Sequence, residues 1–259
     1  MPGPGPHHEI EITHPGTFWY HPHVSVAEQV ARGLYDVEPE VWRTGRQGTL
    51  ILVNGAPAGE DLVLYATSRE RWRIPDAAHS RFFALGLDGH LMHIVAGDAG
   101  PSRTTSTTDA LTLAPGDRFE VVVEPAPGSR SVLWSLPVDR GFGVDPGEPF
   151  PLLTVVGPDA AADLPALPAR RAGMPRVAIW TVHNTTDGIQ PFHLHGLFFD
   201  GLDAAGIPPA FDSREDVANV PAGGVLRIAV PFEVPGPWMF HTHLLDHASH
   251  GMMAVIDVE

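Results

Sequence analysis

The chain of 259 residues contains no cysteine and no lysine. Without cysteine it can form no disulfide, no cysteine-ligated zinc site, no catalytic thiolate and no copper–thiolate bond. All of its basic residues are arginine, and 31 acidic residues outnumber the 16 basic ones to leave a formal net charge of −15. Such a charge would repel a phosphate backbone, so nucleic acid is not an expected partner.

The sequence also lacks a run of 18 apolar residues, so no transmembrane helix is predicted. Its first eight residues have neither a basic segment nor an apolar core, and we do not expect them to be a signal peptide. Hydrophobic residues nevertheless make up 43% of the chain, which is enough for a packed core. The 27 glycines and 27 prolines favour many turns and short strands over long helices.

Short apolar segments bounded by turn residues predict two groups of β-strands. The first group spans residues 49–136 and the second runs from 177 to the C-terminus. The segment between them, 137–175, is rich in Pro, Gly, Asp and Ala and is predicted to be a linker with one strand at 150–156. A short helical turn is predicted at 244–249. This regular spacing indicates an all-β sandwich or barrel.

Histidine is concentrated near both ends of the chain. Five of the 15 histidines lie within residues 1–23 and seven within 183–259. They form three His-x-His pairs, namely His21/His23, His193/His195 and His241/His243. Residues two apart on a strand point to one face, so each pair offers two imidazoles from one side of a sheet. Imidazole is a ligand for Cu, Zn, Fe and Ni, and six converging imidazoles predict a multinuclear metal site.

Three segments resemble the copper-binding motifs of the multicopper oxidases, the laccase-like family of cupredoxin-fold enzymes. They are GTFWYHPH at 16–23, PFHLHG at 191–196 and HTHLLDHASHGMM at 241–253, which look like the family's second, third and fourth motifs. The middle of the chain resembles the family's second domain at LVNG (52–55), SRFF (80–83) and LAPGDR (113–118). The separation of His23 from His193 leaves room for a complete central domain, as in the three-domain type.

The resemblance implies an all-β chain of cupredoxin-like Greek-key β-sandwich domains. It places a remnant of a first domain at residues 1–44, a central domain at 45–157 and a C-terminal domain at 158–259. The family's first His-x-His motif is expected upstream of residue 9, where the sequence has no counterpart. We therefore expect a truncated first domain, with His7, His8 and His14 as the alternatives for the missing ligands.

The resemblance also implies copper as the cofactor and assigns its ligands. In the family, a type 1 copper accepts single electrons and a cluster of one type 2 and two type 3 coppers reduces O2 to water. Carried over residue by residue, His193 is a type 2 ligand, and the type 3 ligands are His21, His23, His195, His241 and His243. The implied partners are O2 and a small phenolic or metal-ion reductant. The resemblance also implies a periplasmic or secreted protein, and it leaves an oligomer possible.

Two departures from the family pattern fall on the type 1 site. Gln190 stands where the third motif normally has histidine, and Thr242 stands where the fourth motif normally has cysteine. A blue copper site is a His2Cys arrangement with a weak axial methionine, so only His247 and Met252 remain as vestigial ligands. Because the cysteine normally lies between two type 3 histidines, Thr242 also removes the covalent path for electrons.

These patterns predict a copper-binding protein of the multicopper oxidase family, formally an oxidoreductase, whose laccase turnover is impaired. Asp246 is a candidate proton relay, with an ordinary surface carboxylate as the alternative. Without a type 1 copper, Met252 and Met253 are interpreted as a core pair, and His79 as a structural residue away from the motifs. The alternative functions are a non-catalytic binding or scaffold protein on the same fold, or a truncated or designed reduction of a larger oxidase.

Overall fold

The computed structural model describes residue 17 and residues 43–167, 178–202, 214–232 and 234–258. These residues form short strands and one helix with defined bounds, α1 at Leu245–Ser249. The strands are β1 Leu52–Val53, β2 Ala56–Pro57, β3 Val63–Tyr65, β4 Glu70–Pro75, β5 Phe83–Leu87, β6 Met92–Gly97, β7 Gly100–Thr108, β8 Leu111–Leu113, β9 Arg118–Val123, β10 Arg130–Leu136, β11 Phe150–Val156, β12 Ala178–His183, β13 Gln190–Leu194, β14 Asp200–Leu202, β15 Val217–Val220, β16 Val225–Val230, β17 Gly236–Thr242 and β18 Met253–Val258. The all-β prediction is confirmed, and none of the described helices is long and apolar enough to cross a membrane.

The middle region consists of two packed sheets and a two-stranded β1-β2 ribbon. The strand orders are β3-β11-β10-β5-β8 and β4-β9-β6-β7. Both sheets contribute to one apolar core, in which Met92, Val121, Val123 and Val155 are fully buried. This packing of apolar faces fixes β9, whose first residue, Arg118, lies close to the metal centre described below.

The C-terminal region is built from a second pair of sheets, with strand orders β12-β16-β14 and β15-β13-β17-β18. Phe192 and Leu194 on β13 point into their shared core together with Ile228. Because side chains alternate along a strand, His193 lies on the opposite face of β13. The sheet therefore separates an apolar face from a face that carries imidazoles.

A smaller apolar cluster joins the two regions. Phe82 and Phe142 from the middle region pack with Leu244, which precedes α1. Close backbone contact accompanies this packing, because the Phe142 N–H donates to the Asp187 carbonyl at 2.8 Å. A Cβ at Gly188 would lie 2.0 Å from the Phe142 ring, so glycine is required there. These contacts hold the imidazole face of the C-terminal region against the middle region.

The predicted strands and the observed ones differ at several positions. The helical turn predicted at 244–249 is α1. In the second group of strands, the apolar residues of 193–199 predict one continuous strand, and this prediction is wrong because β13 ends at Leu194. The chain turns at Gly196, which has a φ of +66°, and a Cβ there would lie 2.0 Å from the Trp238 ring. Strand β7 has no apolar pattern by which the sequence could predict it, because it is rich in polar residues.

Candidate metal centre

Four histidines from β13, β17 and the residues that follow them form the histidine face of the C-terminal region: His193, His195, His241 and His243. His193 pairs directly with His241 across the antiparallel β13–β17 ladder. His195 is held against β17 because its N–H donates to the Met239 carbonyl at 2.8 Å. The His195 ring centroid lies 4.6 Å from that of His193 and 5.1 Å from that of His241. Strand pairing therefore brings together imidazoles that are far apart in sequence.

The ring nitrogens of this face are arranged as a metal would require. Ligand atoms of His193, His195 and His241 all lie within 4.8 Å of one another, and His195 Nε2 is 3.0 Å from His241 Nε2. His193 Nδ1 donates to the Asp216 carbonyl at 2.8 Å, and His241 Nδ1 donates to the Thr242 carbonyl at 2.7 Å. A carbonyl only accepts, so both Nδ1 atoms carry a hydrogen, and in the neutral imidazole that binds metals the Nε2 atoms then carry the lone pairs. Metal-ligating histidines are oriented in this way.

His243 completes the described part of the face. Its ring centroid lies 5.5 Å from that of His193 and 5.7 Å from that of His241, and the residue is buried. Gly116 of the middle region packs against this ring, and a Cβ there would come within 2.9 Å of it. The structure thus brings together four of the six predicted cluster ligands. The other two, His21 and His23, and the alternatives His7, His8 and His14, lie outside the described residues.

A buried charge cluster lies behind His193. Arg118 donates to both carboxylate oxygens of Asp216, at 2.6 and 2.9 Å. Burial alone would raise the pKa of Asp216, yet the His193 ring and the Arg118 guanidinium hold it well below its usual range. For the neighbouring Asp98, burial and the charge of Asp216 raise the pKa to about 7. None of these three residues was predicted as part of the site, although Arg118 lies in the LAPGDR segment.

The four residues that the resemblance assigns to a type 1 site define the type 1 position: Gln190, Thr242, His247 and Met252. Gln190 and Thr242 lie on the opposite face of β13 and β17, while His247 lies on α1 and Met252 precedes β18. Thr242 Oγ1 donates to Gln190 Oε1 at 2.7 Å, and Gln190 Nε2 donates to His247 Nδ1 at 3.1 Å. His247 Nε2 in turn donates to the Arg43 carbonyl at 3.0 Å. Gln190 and Thr242 are both buried. Their polar atoms therefore form a continuous hydrogen-bonded chain.

The interpretation of Met252 and Met253 as a core pair is wrong. Their side chains are 40% and 38% exposed. Met253 begins β18, which lies at the edge of its sheet in the described part of the chain, and Met252 immediately precedes that strand. An edge position leaves one side of these residues without a neighbouring strand.

Asp246 is not the surface carboxylate that the sequence left as an alternative, since it is only 3% exposed. Its Oδ2 accepts from the Arg46 N–H at 3.1 Å and lies 3.4 Å from His79 Nδ1. The interpretation of His79 as distant from the motifs is therefore wrong. The side chains of the middle region and of α1 meet here, a contact that sequence spacing does not reveal.

Comparison with known proteins is consistent with this geometry. Two profiles, each described as multicopper oxidase, match residues 16–132 and 168–259, which together make up well over half of the chain. The chain belongs to the multicopper oxidase family. Copper is the metal that this family binds, and the Nε2 lone pairs of the histidine face are donors that suit it.

Individual multicopper oxidases resemble the chain over most of its length. Multicopper oxidase mco of Staphylococcus aureus is 25% identical, with 83% of this chain and 53% of the relative aligned. The laccase of Bacillus subtilis is 24% identical over 82% of this chain and 54% of its own length. The chain therefore spans about half the length of these curated relatives.

Solved structures share the fold. A multicopper oxidase from Campylobacter jejuni, described as a metallo-oxidase, superposes with a TM-score of 0.74 at 22% identity, covering 85% of this chain and 59% of that one. The expected cupredoxin-like Greek-key architecture is thereby confirmed.

Proposed function

We propose that the protein binds copper through His193, His195, His241 and His243, together with His21 and His23 of the second motif. It would then be formally an oxidoreductase that couples one-electron oxidation of a small phenolic or metal-ion reductant to the reduction of O2. The observation that carries this proposal is the convergence of imidazoles whose Nε2 atoms face one another, 3.0 Å apart for His195 and His241. A scaffold would have no need of that arrangement.

The surrounding residues have distinct roles in this proposal. Bound copper would supply the exchange of single electrons between the reductant and O2. The Asp216 and Thr242 carbonyls hold the rings of His193 and His241 by their Nδ1 hydrogens. Asp246 is proposed as a proton relay, since its Oδ2 lies within 3.4 Å of His79 Nδ1 and a proton could pass between the two atoms.

We further propose that no blue copper forms at the type 1 position. Thr242 and Gln190 replace a thiolate and an imidazole, and each is engaged in the hydrogen-bonded chain described above. Copper would have to break these bonds and accept a hydroxyl and a neutral amide as ligands. Electrons would therefore enter directly at the histidine face, and turnover would be slower than in a laccase.

The same hydrogen-bonded chain favours a second candidate, a non-catalytic copper-binding or scaffold protein on this fold. A buried, internally satisfied polar cluster stabilises the fold without any metal. In this candidate the C-terminal region keeps its structure, but the protein takes up no electrons from a reductant.

The test is to load the purified protein with copper, remove weakly held metal by dialysis, and measure retained copper, visible absorption and O2 uptake with a phenolic reductant. We expect retained copper, no intense blue absorption, and O2 uptake above that of the matched His241→Ala variant. Absence of retained copper would overturn the metal site. Retained copper with O2 uptake equal to that of the variant would select the non-catalytic candidate.

A further inference from the structure

The LAPGDR segment at 113–118 has no role in the function proposed above, yet it lies against the metal centre. Gly116 packs on the His243 ring, and Arg118 begins β9 beside His193. Arg118 is only 4% exposed although it carries a full charge. A buried arginine normally needs specific acceptors for its hydrogens.

Each of the five N–H groups of Arg118 has an acceptor. Nη1 and Nη2 each donate to one carboxylate oxygen of Asp216, at 2.6 and 2.9 Å. Nε donates to the Thr17 carbonyl at 2.7 Å, while the remaining hydrogens point to the carbonyls of Gly116 and Asp98 at 3.2 and 3.3 Å. Lysine has three donors on one nitrogen and cannot reproduce this planar fork. The site is therefore specific for arginine.

Asp216 connects this arginine to His193. The Asp216 carbonyl accepts from His193 Nδ1 at 2.8 Å and from the Leu194 N–H at 2.9 Å. The carboxylate Oδ1 of the same residue lies 3.6 Å from His193 Nδ1, just outside hydrogen-bond range. Two acceptors of one residue thus compete for a single hydrogen on the ring.

The backbone at this point is fixed as well. Asp98 accepts from the Arg118 N–H at 2.8 Å with one oxygen, and from the N–H groups of Asp216 and Val217 at 3.1 Å with the other. The main chain at Asp216 therefore has little freedom to move. The Asp216 carboxylate is the competing acceptor, and Arg118 holds both of its oxygens.

We propose that Arg118 is a positioning residue for His193. Because Nη1 and Nη2 of Arg118 both bind the Asp216 carboxylate, the Asp216 carbonyl is left as the acceptor of the His193 Nδ1 hydrogen. The His193 ring is then held with Nε2 turned toward the histidine face. A freed carboxylate would take the Nδ1 hydrogen, rotate the ring and make Nε2 more basic. Only the copper-binding measurements below rest on the proposed function. The position of the His193 ring hydrogen is measured on metal-free protein.

The first experiment uses metal-free protein. The protonation of His193 is read from its ring ¹⁵N chemical shifts, assigned with a His193→Gln variant. In the wild-type protein the hydrogen must sit on Nδ1, and a hydrogen on Nε2 overturns the proposal without any further variant. In Arg118→Lys we expect the His193 nitrogen shifts to change, because the carboxylate is no longer held by two parallel bonds.

A second substitution separates positioning from general structural damage. Asp216→Asn removes the charged competitor but retains the carbonyl that accepts from His193. In the double variant Arg118→Lys with Asp216→Asn, the His193 shifts should return toward wild-type values. If the shifts stay displaced in the double variant, or if Arg118→Lys alone leaves them unchanged, the proposal is overturned.

The matched control is Arg69→Lys, which immediately precedes β4, next to the end of β9 that lies farthest from Arg118. Arg69 Nε donates to Glu124 Oε1 at 2.7 Å, and Glu124 lies six residues beyond Arg118, roughly 20 Å along the strand. This control should leave the His193 signals unchanged.

With cupric ion added, Arg118→Lys should alter the copper electron paramagnetic resonance spectrum and weaken copper binding by about tenfold, a cost typical of a lost outer-shell partner. Spectra and affinities equal to those of Arg69→Lys would contradict the proposal. If the wild-type protein binds no copper, the proposed function fails, and the ¹⁵N results on metal-free protein still decide the role of Arg118.

Discussion

The two faces of the β13–β17 pair differ in what their polar atoms do. On the histidine face, His193 and His241 give their Nδ1 hydrogens to main-chain carbonyls and so keep Nε2 lone pairs for a ligand. At the type 1 position, Gln190 and Thr242 are bonded to each other through side-chain atoms. The comparison shows that a metal site depends on which atoms the surrounding hydrogen bonds leave for it, as much as on which residue types are present.

The faces also differ in charge. The histidine face is supported by a buried cluster of the titratable residues Arg118, Asp98 and Asp216, whereas the type 1 position is built on a neutral amide and a hydroxyl. The first face should therefore respond to pH and to metal, and the second should respond to loss of packing and hydrogen bonds.

The largest expected effect is on copper binding by the histidine face. Replacing His241 and His243 together by Ala should lower copper affinity by more than the ~10–100-fold that loss of an outer-shell partner costs, because two ligands are removed. Replacing His21 and His23 together should have a similar effect. Copper retained per chain after dialysis is the measurement.

The matched control for this prediction is His247→Ala, which removes an imidazole from the type 1 position. Its copper content should equal that of the wild-type protein. Equal losses in all three variants would show that the two faces do not differ in metal binding.

The second prediction concerns the rebuilding of a blue copper site at the type 1 position. Thr242→Cys with Gln190→His would restore, together with His247 and Met252, the His2Cys and axial methionine set of a blue copper site. Copper-loaded protein should become intensely blue, while the control Thr242→Ser with Gln190→His should stay colourless. A colourless cysteine variant that still binds copper would mean that this position is not the counterpart of the type 1 site.

The third prediction concerns pH and the charges behind the histidine face. Burial raises the pKa of Asp98 to about 7 in the folded protein, against about 3.9 when unfolded. Between these values the unfolded chain has lost the proton that the folded chain keeps, so the stability of the folded protein falls as pH rises through this window. Asp98→Asn removes this dependence.

The difference in unfolding free energy, wild type minus Asp98→Asn, should therefore decrease by up to about 1.4 kcal/mol per pH unit from pH ~4 to ~7 and level off above it. Urea unfolding of metal-free protein at several pH values measures this difference. Parallel stability curves for the two proteins would contradict the assignment.

The smallest expected effect is at the type 1 position. Thr242→Val keeps the side-chain shape but leaves the buried Gln190 Oε1 without its 2.7 Å donor, which should cost about 1–3 kcal/mol of stability. Copper content should not change. Thr181→Val on the exposed side of β12 is the control and should cost close to nothing; a loss of copper in Thr242→Val would show that the two faces are coupled.

The sequence predicted the fold class and the histidine face because both depend on local periodicity. The spacing of each His-x-His segment predicts that its two imidazoles share one face of a strand, whereas the register that pairs His193 with His241 comes from the structure. Contacts between distant segments could not be predicted, and these include the Arg118–Asp216 pair and the approach of Arg46 to Asp246. Nor could the exposure of Met252, which depends on where β18 lies in the sheet. The domain boundaries after residues 44 and 157 stay predictions.

X-ray absorption at the copper edge of the copper-loaded wild-type protein tests whether copper binds on the histidine face and not at the type 1 position. We expect a shell of nitrogen scatterers with the multiple-scattering pattern of several imidazoles and no sulfur. The chain contains no cysteine, and Met252 is one of the residues of the type 1 position. A sulfur scatterer on copper, or a shell with fewer than two imidazoles, would contradict the account.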